Sequence, residues 1–402
     1  MDFADDAVFL GIDVGAHRQR FVKTNNRAEI LGQREVLNQP IIDEAGIATG
    51  LVETYDQCVE EVRSFLGQDH LAGIALGSPG PPNSDGTFGE PGRFLIKTLP
   101  IMAHAFGVPL KRCAWTNDCT AGAITAASPW GHQRQSFHGM SRPESAAAGE
   151  SFRFRFRERR GDATRNGYSK VVYATLSSSM NESWVIAVDL ADQGGYYLID
   201  KGEFQATPEA GHQYYKETDP FGNLFGCWCG GPHHLESALA GGLGVTGVSG
   251  MMKKAVAAGK VRSGALYDAV KSVPEGSGMV GDLTLAPKLY AIPAGADPHA
   301  DRLKAFVAEA VAHRIGYYWG VVGAGKVEFG GGMMRSYEQI LVPALKMVLA
   351  QPERYAAQAR DMSTFPDIAV ADRFGDDHVW KGPLYMLLHK NRFMVTGEAN
   401  FR

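Results

Sequence analysis

Residues that bind metals or move protons crowd into one short stretch of this chain. It runs Glu209-Ala-Gly-His212, then Cys227-Trp-Cys229, then His233-His234-Leu-Glu236. Cys227 and Cys229 put two soft sulfur ligands on a short turn, and His212 and His234 could complete four N/S donors, the tetrahedral set that Zn²⁺ prefers. Glu209 and Glu236 stand beside these ligands, so a metal site here would also hold two carboxylates. The competing reading is a pair of buried thiols near a solvated pair of histidines. Cys-x-Cys framed by His on both sides is uncommon by accident, which favours the metal.

A second set of residues suits proton transfer and phosphate contact. Asp13 follows the apolar run Val8-Phe-Leu-Gly-Ile12, which suits a strand buried on both faces. An Asp after such a strand is equally a turn or capping residue. Asn117-Asp118 opens an Ala-rich helical stretch, where a carboxylate gains from the positive end of the helix dipole. The competing reading makes Asp118 an N-cap. Gly77-Ser-Pro-Gly80-Pro-Pro82 follows an apolar run at 74–76 and by itself is Pro/Gly punctuation. Gly330-Gly331-Gly332 closes a buried strand at 326–329, a strand-to-helix turn common in α/β domains.

The elements that must position these residues alternate between strands and helices. Beyond the first strand, a polar turn at 23–27 leads to a second strand near 28–31. Ile47, Leu51, Tyr55, Cys58, Val62 and Leu66 define the apolar face of a helix over 43–66. A strand at 170–175 is followed by helical stretches at 235–239 and 265–273. Leu303, Phe306, Val307, Ala310, Val311 and Ile315 mark a long amphipathic helix over 300–319. A helix at 339–349, a short strand at 367–370 and a helix at 382–388 complete the series. Between about 130 and 170 the chain is rich in Ser, Gly, Glu and Arg and reads as an insertion. Inside it, Phe152-Arg-Phe-Arg-Phe-Arg157 alternates as a strand with a Phe face and an Arg face. The Phe face could pack on a partner subunit or its own domain and the Arg face could pair with an anion; a solvated edge hairpin is the competing reading.

On these residues the chain resembles the ROK family of repressors, open reading frames and sugar kinases, within the actin-like ATPase (ribonuclease H-like) fold. The family pattern is Glu-x-Gly-His and, further on, Cys-x-Cys-Gly-x-x-Gly-Cys-x-Glu; Cys227, Cys229, Gly230 and Glu236 match in register, and the third cysteine falls on His234. The resemblance implies a structural zinc on His212, Cys227, Cys229 and His234. It implies sugar contacts from Gly80, Asn117, Asp118, Glu209, His212 and Glu236, with Asp118 as the catalytic base that takes a proton from the attacking hydroxyl. Asp13 would assist Mg²⁺, and Gly15, His17, Thr175, Gly331 and Gly332 would border the nucleotide and its phosphates. ATP with Mg²⁺ is thus the implied donor, a small-molecule sugar the implied acceptor, and a homo-oligomer, a dimer, the implied assembly.

The phosphate motifs depart from the family. Its first loop, Asp-x-Gly-Gly-Thr, reads Asp13-Val-Gly15-Ala16-His17. Its second, Thr-x-Gly-Thr-Gly-x-Gly-x-Gly, reads Thr175-Leu-Ser177-Ser178-Ser179-Met180-Asn181-Glu182-Ser183, with all four glycines replaced. Glycine serves such loops because the backbone must approach phosphate. Glu182 is expected to bring negative charge towards the polyanion.

Composition sets modest bounds. The 402 residues suffice for two or three domains, and 45% hydrophobic with 21% charged residues is ordinary for a soluble globular protein. A net charge of −4 gives no basic field for nucleic acid, and no DNA-binding helices precede Val8, which sets the repressor branch aside. Five cysteines, two of them in one Cys-x-Cys, make no disulfide framework and fit a reducing, cytoplasmic compartment. The acidic start is not a signal peptide, and no apolar run spans a membrane. The expected organisation is an N-terminal actin-like lobe of 1–125 plus 380–402 and a C-terminal lobe of 126–379 that carries the zinc site and the insertion. Two functions compete: phosphorylation of a hexose or amino sugar hydroxyl with ATP, or a sugar sensor or non-kinase sugar enzyme that keeps the pocket and has lost phosphoryl transfer.

Overall fold

The computed structural model describes residues 3–15, 18–38, 40–42, 48–51, 54–90, 94–131, 133–137, 168–177, 180–188, 196–200, 214–216, 218–224, 234–241, 247–274, 278–356 and 364–396. The chain divides into two compact units, Met1–His132 with Ser183–Pro208 and Gly375–Arg402, and Gln133–Glu182 with Glu209–Phe374. Against expected boundaries at 125 and 380, the first unit is grouped to His132, with Ser183–Pro208 and from Gly375 onward.

The first unit is built on β1 (Val8–Val14), β2 (Arg18–Thr24), β3 (Ile30–Leu37), β6 (Leu71–Ser78) and β9 (Cys113–Asn117), in the order β3-β2-β1-β6-β9. β1 is antiparallel to β2 and parallel to β6, and β6 is parallel to β9. Short hairpins β4 (Pro40–Ile42) with β5 (Ala48–Leu51) and β7 (Phe88–Glu90) with β8 (Phe94–Ile96) decorate it. The strand expected near 28–31 is β3, which runs from Ile30 to Leu37, while β2 before the polar turn was not foreseen; in that turn the Asn25 Oδ1 accepts from the Arg27 and Glu29 backbone N–H groups at 2.9 and 3.1 Å.

The helix expected over 43–66 is shorter: α1 spans Thr54–Leu66, and Ala48–Leu51 is a strand. Gly50 weakens the helical option there, and the backbone of Ala48–Leu51 finds its partners in Pro40–Ile42 instead. Cys58, Val62 and Leu66 of α1 join Leu10, Ile12, Phe21 and Val36 in one buried cluster. Alternation along β1 turns Gly11 to the opposite face, where the buried Trp380 of the C-terminal helix His378–Leu388 lies over it. The approach is close. A Cβ on Gly77 would stand 2.3 Å from the Val379 carbonyl oxygen, and one on Gly382 2.2 Å from that of Ala121 in α3 (Asp118–Ala127). α2 (Thr98–Ala105) completes the helices of this part.

In the second unit, β10 (Gln133–Phe137), β15 (Asp367–Ala371), β14 (Lys326–Gly330) and β11 (Tyr168–Leu176) lie in that order. The last three are mutually parallel and β10 is antiparallel to β15. The start of the expected insertion therefore joins a sheet; 138–167, with Arg153, Arg155 and Arg157, lies outside the described residues. β12 (Met180–Val188) follows β11, and its residues from Ser183 onward belong to the first unit with β13 (Tyr196–Asp200) and β16 (Phe393–Thr396). The long helix runs Pro298–Tyr317, capped by Asp297, whose carboxylate accepts from the His299 N–H at 2.8 Å. Leu303, Phe306, Val307, Ala310, Val311 and Ile315 are its buried face, as the spacing predicts. It ends in a π turn, Tyr318–Val322. Among the described residues no helix is long and apolar enough to cross a membrane.

Candidate active site

Three parallel strands of the first unit end side by side. Asp13 of β1 is in register with Gly77 of β6, Gly77 with Thr116 of β9, and Ser78 with Asn117. The carboxyl ends of parallel strands are where α/β sheets bind ligands. Here they bring together Asp13, the loop after Ser78 with Gly80, Asn117 and the first residue of α3, Asp118.

Asn117, not Asp118, is the N-cap of α3, which corrects the competing reading of Asp118. The Asn117 Oδ1 accepts from the Cys119 and Thr120 backbone N–H groups at 3.0 and 3.4 Å, and its Nδ2 donates to the Gly80 carbonyl at 3.3 Å. The expected sugar ligand thus already ties the helix start to the Gly-Pro loop. Gly80 needs φ +86°, a backbone open to glycine, and the loop is braced by Trp115 Nε1 donating to the Asn83 carbonyl at 2.9 Å. Asp118 lies in the first turn, half-buried, with Oδ1 accepting from the Cys119 N–H at 2.8 Å. α3 itself is held by a buried Thr120–Ser183 hydroxyl pair at 2.9 Å and by Thr125 Oγ1 donating to the His378 carbonyl at 2.8 Å.

Asp13 is electrostatically unusual. Burial lifts its pKa from 3.8 to about 6, against the opposing pull of Arg20 and Arg18 and with a further push from Asp118 and Asp376. The two carboxylates singled out from sequence therefore lie within each other's field. Arg20 faces Asp13 across the β1–β2 register, with a side chain only 6% exposed. Its Nη2 is 3.7 Å from Asp13 Oδ2 and its Nη1 3.3 Å from Asp377 Oδ1. Sequence reasoning missed Arg20, Asp376 and Asp377. The available signal was an acidic doublet just before the last helix, and an arginine in a strand whose neighbours Phe21 and Val22 are apolar.

The Gly15 N–H donates to the Arg18 carbonyl at 2.8 Å, closing a tight hairpin, so this N–H is occupied in the fold. Thr175, next to last in β11, is half-buried and in register with Gly330. Gly331 has φ +92°, and its Cβ would stand 2.3 Å from the Leu176 carbonyl oxygen, while Gly332 has open space around it. Glu182 overturns its expectation. It is buried, and its carboxylate accepts from Arg314 Nη2 and from the Tyr318 hydroxyl, both on the long helix and its π turn. A neutralised, inward-facing carboxylate does not repel phosphate. His17, Glu209, His212, Cys227 and Cys229 lie outside the described residues, as does the Glu236 side chain, although its backbone is in the helix Leu235–Leu239. His234 is half-buried and its backbone bridges Tyr214.

The Mg²⁺ expected at Asp13 does not fit the residues around it. The carboxylate faces a buried guanidinium, and among the described residues no group of three or more His, Cys, Asp or Glu side chains converges as metal ligands.

A two-unit α/β chain with mixed sheets and acidic residues at its strand ends has the fold of the ROK sugar kinases and regulators. Among solved structures it is similar to a ROK glucokinase from Streptomyces griseus in complex with glucose and AMPPNP, at TM-score 0.56 and 14% identity over 94% of this chain and 98% of that one. It is similar to a glucokinase from Balamuthia mandrillaris in complex with glucose, at TM-score 0.59 and 12% identity, over 95% and 93% of the two chains. It is also similar to a ROK family transcriptional regulator, a homolog of the E. coli MLC protein, at TM-score 0.53 and 14% identity, covering 95% of this chain and 80% of that one. No family model matches the sequence, and no curated protein matches it. At such identities the likeness is one of fold.

Proposed function

We propose that this chain is a sugar kinase-like protein that holds a hexose or amino sugar at the strand ends of its first unit. The observation that carries the reading is Asp118, set in the first turn of α3 at the ends of three parallel strands, beside the Gly80 loop and within the field of Asp13. Asp118 is the base that takes the proton from a sugar hydroxyl. A positioned carboxylate suits that task. Asn117 and Gly80 shape the pocket floor. The glucose named for the two similar glucokinases supports a hexose.

A second reading, a sugar-binding protein without phosphoryl transfer, is favoured by one observation. The Asp13 carboxylate is already paired with Arg20, which leaves the phosphate side of the site without the cation chemistry of an ATP–Mg²⁺ kinase. Isothermal titration of hexoses and of ATP–Mg²⁺, each alone and together, tests both. Hexose or amino sugar binding to the wild-type chain supports the shared reading, and no such binding at all would sink it. Turnover in a coupled assay then separates kinase from binder.

The same reading includes one zinc per chain. Two thiolates and two imidazoles, from Cys227, Cys229, His212 and His234, are a donor set suited to structural zinc, which contributes to folding rather than chemistry. Metal analysis of the purified chain should return one equivalent of zinc, and Cys227→Ser should lose both the metal and part of the thermal stability. A folded, metal-free chain would exclude the site.

A further inference from the structure

Four carboxylates surround the end of β1. Asp118 and Asp376 both act on Asp13, and Asp377 is tied to it through Arg20. Hard divalent ions favour carboxylate oxygens, although among the described residues no three of these converge as a ready ligand set. Yet the cluster contains its own cation. Arg20 stands directly opposite Asp13 in the strand register, so the two side chains share a face. Its side chain is 6% exposed, and it spans Asp13 and Asp377 at 3.7 and 3.3 Å. Its Nε and Nη2 are buried with no hydrogen-bond partner among the described residues. An arginine buried only to brace a fold is expected to saturate its five N–H groups in short, bidentate bonds, because unmet donors are costly to bury. Arg20 does not. It interacts with Asp13 at long range, by charge. Of the other cations nearby, Lys381 stands 3.8 Å from Asp377 and Arg18 pairs with the exposed Glu35 at 3.0 Å.

We propose that Arg20 is the built-in cation of this carboxylate cluster, neutralising Asp13 and Asp377 and excluding a divalent metal ion from Asp13. A divalent ion on Asp13 would lie within a few ångströms of a fixed guanidinium, in surroundings that screen poorly. The inference rests on the reading of Asp13 and Asp118 as the reaction centre. Its test reads cation binding alone, so sugar recognition stands or falls separately.

The test is a titration of the full chain with Mn²⁺, without nucleotide or sugar, following free Mn²⁺ by its electron paramagnetic resonance signal. Only binding that Asp13→Asn removes is counted. Wild type and Asp13→Asn should give the same isotherm. Arg20→Gln should gain a site at least about ten-fold tighter than any Asp13-dependent binding in wild type, and the double variant Arg20→Gln/Asp13→Asn should lose it. Arg20→Lys, which keeps the charge, should behave as wild type. Asp13-dependent Mn²⁺ binding in the wild type would overturn the proposal, as would a folded Arg20→Gln that gains no site. If circular dichroism shows Arg20→Gln unfolded, the wild type, Asp13→Asn and Arg20→Lys isotherms decide by the same criterion.

Discussion

The strand ends of the two units handle charge in opposite ways. In the first unit, Asp13 and Asp118 stay half-buried, close enough to perturb each other, and Arg20 reaches its carboxylates only at 3.3 and 3.7 Å. In the second unit, Glu182 is fully buried and held by Arg314 and Tyr318, with no charge left over. The glycines differ likewise. Gly80 opens a loop beside Asn117, whereas Gly331 lets the turn after β14 pack on the backbone of β11. The first unit therefore spans its carboxylates with one buried cation at long distance, whereas the second ties Glu182 tightly into the fold. Where the chain departs from the expected phosphate loop, Glu182 has acquired structural partners.

The largest effect that would sharpen this contrast concerns Asp118. In any assay where the chain turns over a hexose, Asp118→Asn should lower the rate by about 10²–10⁴-fold, the usual worth of a positioned base, with sugar affinity little changed. An equal loss of affinity would make Asp118 a sugar ligand rather than the base. Next is Glu182→Gln. It keeps the size of the side chain but leaves Arg314 charged and buried without its carboxylate, which should cost roughly 3–5 kcal/mol in denaturant unfolding. Glu182→Gln with unchanged stability and improved nucleotide affinity would restore the view of Glu182 as a charge facing phosphate.

Legibility from sequence followed the same divide. Strands and helices with unbroken apolar periodicity, such as 8–12 and 300–319, are readable because burial decides them locally. The 43–66 helix was over-extended because Ala48–Leu51 is settled by pairing with Pro40–Ile42, which spacing cannot show. Asp13, Asn117 and Asp118 were legible as a group through a motif. Arg20 was not, because its role depends on the cross-strand register with Asp13. Glu182 was misread because its partners, Arg314 and Tyr318, are 132 and 136 residues away in the chain.

Asp13 predicts a pH dependence of known sign. Its folded pKa is about 6 against an ordinary 3.8, so the folded chain holds this proton more tightly than the unfolded one. Between pH 4 and 6 the unfolded state releases it first, and stability falls as pH rises through that window. Asp13→Asn removes the titration. The stability of the variant relative to wild type should therefore climb from pH 4 to above pH 6, by up to about 3 kcal/mol, whatever constant offset arises from Arg20 losing one partner. A flat difference across this range would show that Asp13 is solvated and that burial does not govern it.

The smallest effect tests whether the glycine turn of the second unit serves packing or a ligand. Gly331→Ala places a Cβ 2.3 Å from the Leu176 carbonyl oxygen on a backbone at φ +92°, while Gly332→Ala meets nothing within 4 Å. Strain of this kind costs about 1–3 kcal/mol, and a change into open space stays within about 0.5 kcal/mol. Thermal unfolding without any ligand should thus separate the two neighbours, Gly331→Ala falling and Gly332→Ala staying. If instead both variants keep wild-type stability and both weaken ATP binding, the turn is a nucleotide contact and the contrast between the units fails at this point. If Gly331→Ala destabilises while ATP affinity is as weak in wild type as in either variant, the glycine is retained for the join between β11 and β14 alone.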